Sequence, residues 1–157
     1  MDLHHPWLAP GWQQQIQRLL NSYARVVGSE LIDRSGTPEE QAHRLFDAPF
    51  VVVSHGSQAD PILNSANAIA LLLWAMPLEH FLETPSRLTA EPMHRDERER
   101  MLEQTRRKGY IDDYQGIRIS STGRRFRIDR ATVWNVVDEQ GQPAGQAATF
   151  SEWVFLD

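Results

Sequence analysis

A change in the hydrophobic period near Gly109 constrains the fold more than any other feature of the sequence. Just before this glycine, in residues 95–108, opposite charges pair at helical spacing, whereas beyond it apolar and polar residues alternate as in half-exposed strands. Two turn-forming segments, STGR and DEQGQP, divide the remainder into strands at about 110–120, 124–137 and 143–154. The end of the chain is therefore predicted to be an antiparallel meander.

The residues before Gly109 predict helices and two further strands. Apolar residues recur at helical spacing over 12–27, and Thr37 is the predicted cap of a second helix. The run FVVVSHG, residues 50–56, is typical of a central buried strand, and DPILNSAN, residues 60–67, of a short strand that leads into a helix. Because a helical block then separates two strands from three, we expect an α+β domain with an antiparallel sheet.

Composition and charge narrow the class of protein. With 157 residues, 41% of them hydrophobic, the chain has the size of one globular domain, and its formal net charge of −5 argues against nucleic-acid binding. Its start has no features of a signal peptide, and the longest apolar run, 66–76, is about half a membrane span. We therefore expect a cytoplasmic protein with no membrane or nucleic-acid partner. The absence of cysteine excludes disulfides, thiolate metal sites and flavin chemistry through a cysteinyl adduct.

The arginine-rich stretch IRISSTGRRFRI determines which side chains face the core. A two-residue turn at 122–123 would set Ile119 opposite Phe126 on the inner face of the hairpin. Arg118 would then lie opposite Arg127 on the outer face, as part of a solvated or partner-covered surface. The same stretch could also bind nucleic acid, but no aromatic platform accompanies the arginines on that face.

Continuing this alternation through a three-residue loop at Gly141 predicts an unusually polar inner face. Trp134 would lie opposite Gln146, and the inner face would carry Asp113, Arg130 and Thr132 as well. Because a buried polar group without a partner costs about 1–3 kcal/mol, these side chains must satisfy one another, meet water or line a cavity for a polar ligand. An internal Asp113–Arg130 pair is the alternative, and a β-bulge would reverse the faces.

Several segments resemble one known family. The strings APFVVVSHG, DPILNSANAIALLLW, PSRLTAEPMHRDERERML, GYIDDYQGIRISSTGRRFRI and ATVWNVVDEQGQPAGQAATFSEW are similar to the MEKHLA domain, a PAS-related family, over about residues 12–155. The resemblance is to the short stand-alone bacterial type, without the homeodomain and zipper of the plant members. It implies a PAS-like five-stranded antiparallel sheet with helices on one face, extra N-terminal helices and a cavity between helices and sheet. It implies no defined reaction and no cofactor.

The sequence patterns and this resemblance together suggest domain limits and candidate residues. Residues 1–11 are expected to be a loose N-terminus and 12–157 a single domain, with N-terminal helices in 12–46 and the PAS core in 50–154. No catalytic or metal-ligating set is evident, because no histidine has ligand spacing and no serine stands beside a base. The candidate ligand-binding residues are His55, Asn64, Asn67, Trp74, Asp113, Arg130, Thr132, Trp134 and Gln146. Each has a structural alternative: the asparagines as helix caps, the tryptophans as core residues, and His55 as a satisfied strand-end histidine.

Three functions are compatible with these features. The first is a sensory module that binds a small polar or aromatic molecule and acts through dimerisation or a partner protein. The second is a pure interaction domain with a filled core. The third is an enzyme in which Asp113, Arg130 and His55 perform acid–base work. PAS-type domains usually cover the outer sheet face with an N-terminal helix, in cis or exchanged between chains, and we expect a homodimer.

Overall fold

The computed structural model describes residues 1–91 and 95–156, except for the side chain of residue 98. Its elements are α1 (Pro10–Val27), α2 (Pro38–Phe46), β1 (Val51–His55), β2 (Leu63–Ala66), α3 (Ala68–Trp74), α4 (Leu78–Phe81), α5 (Arg95–Lys108), β3 (Tyr110–Ile119), β4 (Arg125–Val137), β5 (Pro143–Phe150) and β6 (Glu152–Phe155), with 3-10 turns at Pro6–Leu8 and Ser86–Thr89. In these described ranges no helix is both long and apolar enough to cross a membrane.

The sheet is antiparallel and its strand order is β2-β1-β5-β4-β3. The short strand β6 also pairs with β4 and continues the line of β5 beyond Ser151. The fifth strand is therefore interrupted by one residue, and the predicted α+β fold with a PAS-like five-stranded antiparallel sheet is confirmed.

The two N-terminal helices cover the outer face of the sheet, which we define as the face toward α1 and α2. Helix α1 buries a stripe of four apolar residues against the outer side chains of β1, β4 and β5. Helix α2 begins at a capping box, in which Thr37 and Glu40 each accept a hydrogen bond from the backbone N–H of the other. Ahead of α1, Trp7 stacks on His43 of α2 with ring centroids 3.9 Å apart. The buried stripe of α1 consists of Trp12, Ile16, Leu19 and Leu20.

The helices of the central block, α3, α4 and α5, cover the inner face. Trp74 of α3 and Phe81 of α4 join Met101 and Leu102 of α5 in one apolar cluster with the sheet. Helix α5 ends at Gly109, whose φ is 91° and whose N–H donates to the Thr105 carbonyl. The sheet is thus enclosed between two helical layers, and the inner cluster borders the cavity described below.

The turn between β3 and β4 differs from the predicted one, and the difference exchanges the inward-facing and outward-facing side chains of β3. The N–H of Ser120 donates to the carbonyl of Arg124 at 2.9 Å, so that the loop has three residues and ends in Gly123 with φ 86°. Because the loop has one residue more than predicted, Arg118 pairs with Phe126 instead of Arg127. The expectation that Arg118 points outward is therefore wrong.

A second irregularity reverses the end of β4. Arg130 has φ 52°, a left-handed conformation, and the inward residues change from Phe126 and Ile128 before it to Ala131 and Val133 after it. Trp134 consequently belongs to the outer cluster. Its partner on β5 is Ala147 rather than Gln146, because the register between β4 and β5 shifts near the 138–142 turn.

Candidate functional site

A cavity of about 60 Å³ lies between the inner face of the sheet and helices α3–α5. Most of its wall is apolar: Phe81 and Trp74 come from the helices, and Ile128 and Phe150 from the sheet. Polar side chains of β1, β3 and β5 reach the same wall. Because the cavity exceeds the roughly 10–15 Å³ that one water requires, it has room for water or a small organic molecule.

Gln146 is the polar residue that joins the sheet to α5 at this cavity. Its side chain is buried, and its amide nitrogen donates to the Leu102 carbonyl at 3.2 Å and to Oδ1 of Asn135 at 3.0 Å. His55 is its neighbour on β1 and also lines the cavity, with Nδ1 2.9 Å from the Gly56 carbonyl. The structure thus brings together two of the predicted residues, both on the inner face.

Trp74 also lies at the cavity, as predicted. Its ring makes edge-to-face contacts with Phe81, Phe126 and Phe150, at centroid distances of 6.5, 5.2 and 6.2 Å. The indole Nε1 is buried and has no hydrogen-bond partner among the described residues. This ring is therefore both part of the core and a donor at the cavity wall.

Two cavity residues, Arg118 and Tyr114, were not predicted from the sequence. Arg118 is only 7% exposed, its Nη1 donates to the Ile117 carbonyl at 3.0 Å, and its guanidinium lies 5.3 Å from the centre of the Tyr114 ring. The Tyr114 ring lies along the strand over Gly116, where an added Cβ would come within 2.1 Å of the phenol oxygen. A three-residue hairpin loop, a common alternative for the sequence SSTGR, would have predicted both of these inward positions.

Four predicted residues do not line the cavity, and three of them contact the N-terminal helices. Asn67 is buried, accepts from the N–H of Val52 and donates to the carbonyls of Leu45 and Phe50, so that it joins β1 to the segment around α2. Asn64 contacts the hydroxyl of Ser54 and the side chain of Gln15 on α1. The predicted inner position is also wrong for Trp134, which donates to a carbonyl of α1, and for Thr132, which pairs with Thr149.

The two charged candidates are exposed and do not pair with each other. Asp113 is exposed, while Arg130, with 85% of its side chain exposed, lies 3.8 Å from Glu152. Both border an open groove that does not connect with the residues of the cavity. Asp129 lines the same groove, and the hydrogen bond that it accepts from Arg127 lowers its pKa. The predicted inner position of Asp113 and Arg130 is wrong for two reasons: the three-residue loop reverses the face of β3, which carries Asp113, and the left-handed Arg130 reverses the end of β4.

This geometry bears on the chemistry that the site can perform. Asp113 and Arg130 do not line the cavity with His55, so the acid–base set considered for an enzyme is not assembled. Within residues 1–91 and 95–156, no three histidine or carboxylate side chains are grouped as a metal site. What the cavity offers is apolar surface together with an arginine, an indole N–H, a phenol and an amide.

Comparison with known proteins identifies the family and the fold. The chain matches the MEKHLA domain model over residues 13–155. None of the curated proteins compared with the chain matches it.

Solved structures with the same fold are distant in sequence. The PAS domain of a protein from Colwellia psychrerythraea superposes with a TM-score of 0.62 at 13% identity, covering 75% of this chain and 95% of that domain. The light-state dimer of the fungal blue-light photoreceptor Vivid gives 0.62 at 14% identity, over 92% of this chain and 97% of that one. An RNA-binding light-oxygen-voltage receptor gives 0.59 at 17% identity, over 82% of this chain and 34% of that one. The chain therefore belongs to the MEKHLA domain family, and it has the fold of PAS and light-oxygen-voltage domains.

Proposed function

We propose that the chain is a sensory module that binds a small molecule in the cavity between the sheet and helices α3–α5. The observation that carries this proposal is the cavity itself, which has an apolar wall and a few polar groups directed to one space. A domain built only to present its outer surface would gain stability from filling such a space, because voids in a core are destabilising.

Strand β5 offers a direct route from the cavity to the rest of the molecule. Gln146 faces the cavity and holds the Leu102 carbonyl of α5, whereas its neighbour Ala147 packs beneath α1 on the outer face. Successive residues of a strand point to opposite faces, so a ligand that displaces Gln146 also strains the contact beneath α1. We propose that ligand binding in the cavity changes the packing of α1 and α5 against the sheet.

A flavin does not suit this cavity. A volume of about 60 Å³ is well below the roughly 300–1,000 Å³ of pockets that hold drug-sized ligands. The chain also contains no cysteine that could form an adduct with a flavin. The proposed ligand is therefore a compact molecule, smaller than a flavin or haem.

Two matched alanine-to-valine substitutions, one at the cavity wall and one away from it, test the proposal. Ala131→Val adds two methyl groups at the cavity wall, whereas Ala70→Val adds them to α3, at a fully buried position that does not line the cavity. We expect Ala131→Val to leave the free energy of unfolding unchanged or raise it. Ala70→Val should lower it by about 1–3 kcal/mol, because overpacking a filled core strains it.

Binding is measured by protein-observed NMR with a panel of small neutral and anionic compounds. We expect Ala131→Val to lose the compounds that the parent chain and folded Ala70→Val bind. Equal binding by all three proteins, or no binding to the parent chain by any compound, would refute the use of this cavity. Native mass spectrometry of protein purified from its own host would identify a ligand that copurifies.

We also propose that the signal is passed on through a homodimer or a partner protein. The support is the fold, because the similar structure of Vivid is a light-state dimer. In this chain α1 packs in cis on its own sheet, so the proposed dimer does not require exchange of that helix. Sedimentation velocity at micromolar concentration should detect a dimer, and a single monomeric species would refute the homodimer and leave only signalling through a partner protein.

A further inference from the structure

The cavity contains a buried cation that no acidic side chain of the described structure neutralises. Arg118 is 7% exposed and lines the cavity, and no carboxylate of residues 1–91 or 95–156 lies within 4.0 Å of its guanidinium nitrogens. Among the described residues, its guanidinium donates one hydrogen bond, to the neighbouring Ile117 carbonyl. Since a guanidinium carries five N–H donors and stays charged, most of its bonding capacity is unused.

The neighbouring arginines of the hairpin show that this situation is particular to Arg118. All three have partners at the surface, and two of these partners are carboxylates. They are Arg124 over the ring of Phe155 at 3.4 Å, Arg125 with Glu91, and Arg127 with Asp129 at 3.0 Å. Among the described residues, Arg118 is thus the hairpin arginine that is buried without an anion, whereas Arg124, which also has no carboxylate partner, lies over an exposed ring.

Two further donors line the same cavity and have no partner in the part of the chain that the structure describes. The indole Nε1 of Trp74 and the phenol oxygen of Tyr114 are buried, and no described group bonds to either. Gln146 and Thr89, by contrast, already donate to protein acceptors. Because buried polar groups are normally hydrogen-bonded, these donors favour an occupant that accepts hydrogen bonds, and the buried guanidinium beside them favours one that also carries negative charge.

We propose, on the basis of the sensory function above, that the cavity binds a small organic carboxylate. Its carboxylate would pair with the guanidinium of Arg118, assisted by Trp74 and Tyr114, and its short apolar part would lie against Ile128 and Phe150. The volume limits the size of the acid. At about 60 Å³ the cavity is smaller than the engineered cavity of about 150 Å³ that admits benzene in another protein, so a short aliphatic acid fits better than an aromatic one.

The test compares propionate with propionamide, which has nearly the same shape but no charge. Binding to the full chain is followed by NMR titration at constant ionic strength. We expect propionate to bind at least about tenfold more tightly than propionamide, because a charge-assisted bidentate contact is stronger than a neutral one. Equal affinity for the two would refute the assignment of an anion. Nitrate binding as tightly as propionate would refute an organic ligand, since the apolar wall would then contribute nothing.

Variants of Arg118 separate ligand binding from folding. Arg118→Met keeps the length of the side chain and removes the charge, and should lower propionate affinity at least about tenfold while propionamide still binds. Arg118→Lys should retain part of the affinity. Because Arg118→Met removes an unpaired buried charge, its melting temperature should equal or exceed that of the parent chain. A clear fall in melting temperature together with loss of propionamide binding would make Arg118 a structural residue and refute the proposal.

The result also distinguishes this inference from the function on which it rests. If neutral compounds bind the parent chain and propionate does not, the carboxylate assignment fails and the small-molecule cavity stands. If neither class of compound binds, both fail.

Discussion

Two tryptophans on opposite faces of the sheet provide a sharp test of which side chains face the cavity. Trp134 is fully buried beneath α1, its indole N–H donates to the Leu19 carbonyl at 3.2 Å, and its ring meets the edge of Tyr23. Trp74 is 3% exposed at the cavity, and its indole N–H has no partner among the described residues. Replacing each by phenylalanine removes the same atoms from two environments that differ in hydrogen bonding.

The difference between the two variants follows from these bonds. Trp134→Phe loses a hydrogen bond that contributes about 0.5–1.5 kcal/mol to the free energy of unfolding. Trp74→Phe instead removes a buried donor that has no partner among the described residues, and the desolvation cost of about 1–3 kcal/mol that this donor imposes on the folded state disappears with it. The loss of packing is similar in both, so Trp134→Phe should be the less stable variant by at least about 1.5 kcal/mol. For a domain of this size, each kcal/mol corresponds to roughly 2–4 °C in melting temperature. We therefore expect a gap of about 3 °C or more.

The assay combines urea unfolding with hydrogen exchange. Urea unfolding gives the free energy of unfolding, and amide exchange shows where each variant loosens. Exchange should become faster in α1 for Trp134→Phe and stay unchanged there for Trp74→Phe. If Trp74→Phe were as destabilising as Trp134→Phe, or if it loosened α1, the assignment of the two rings to opposite faces would be wrong.

Three further substitutions test the elements that position the site. Gly145→Ala should be less stable than Gly123→Ala by roughly 2 kcal/mol in urea unfolding. Both glycines have positive φ, but of these two only position 145 would bring a Cβ against backbone, 1.9 Å from a carbonyl oxygen of β1. Equal losses of stability in the two variants would contradict this close approach. Arg18→Gln should lower the melting temperature at pH 7, since the hydrogen bond from Arg18 lowers the pKa of Glu139. A carboxyl whose pKa is lowered by folding stabilises the fold above the ordinary glutamate pKa of about 4.3, and this stabilisation is lost as the pH falls through the pKa of the folded state. The difference in melting temperature between Arg18→Gln and the parent chain should therefore vanish in acid. If the difference persisted there, the Arg18–Glu139 pair would not be its cause. Thr37→Ala should cost about 0.5–2 kcal/mol in the same unfolding assay through loss of the cap of α2, and no loss would show that the capping box contributes nothing.

Local signals allowed most secondary-structure elements to be predicted. The apolar spacing that begins at Trp12 indicated α1, and the cap at Thr37 and the stop at Gly109 mark real helix ends. These features depend on residues close together in sequence, where propensity and capping act directly. The resemblance to the MEKHLA domain supplied what such signals do not, namely the arrangement of the strands in one sheet.

The faces of the strands could not be predicted in the same way, because they depend on counting residues across each irregularity. His55, Trp74 and Gln146 reach the cavity as expected, whereas Trp134 and Thr132 do not. A single left-handed residue is enough to exchange inside and outside for the rest of a strand. Arginine is an uncommon residue for that conformation, so the sequence contains no clear sign of it.

The two irregularities together determine the charge of the cavity. The extra loop residue ahead of β4 turns Arg118 inward, and the left-handed Arg130 keeps its own side chain at the surface. With the predicted register, the cavity would have held an arginine and an aspartate able to neutralise each other. With the observed register it holds an arginine and two donors that no described residue pairs with, and the aspartate lies outside. Because an uncompensated buried cation is costly unless something pairs with it, the one-residue difference in a hairpin loop changes the expected occupant from a neutral polar molecule to an anion.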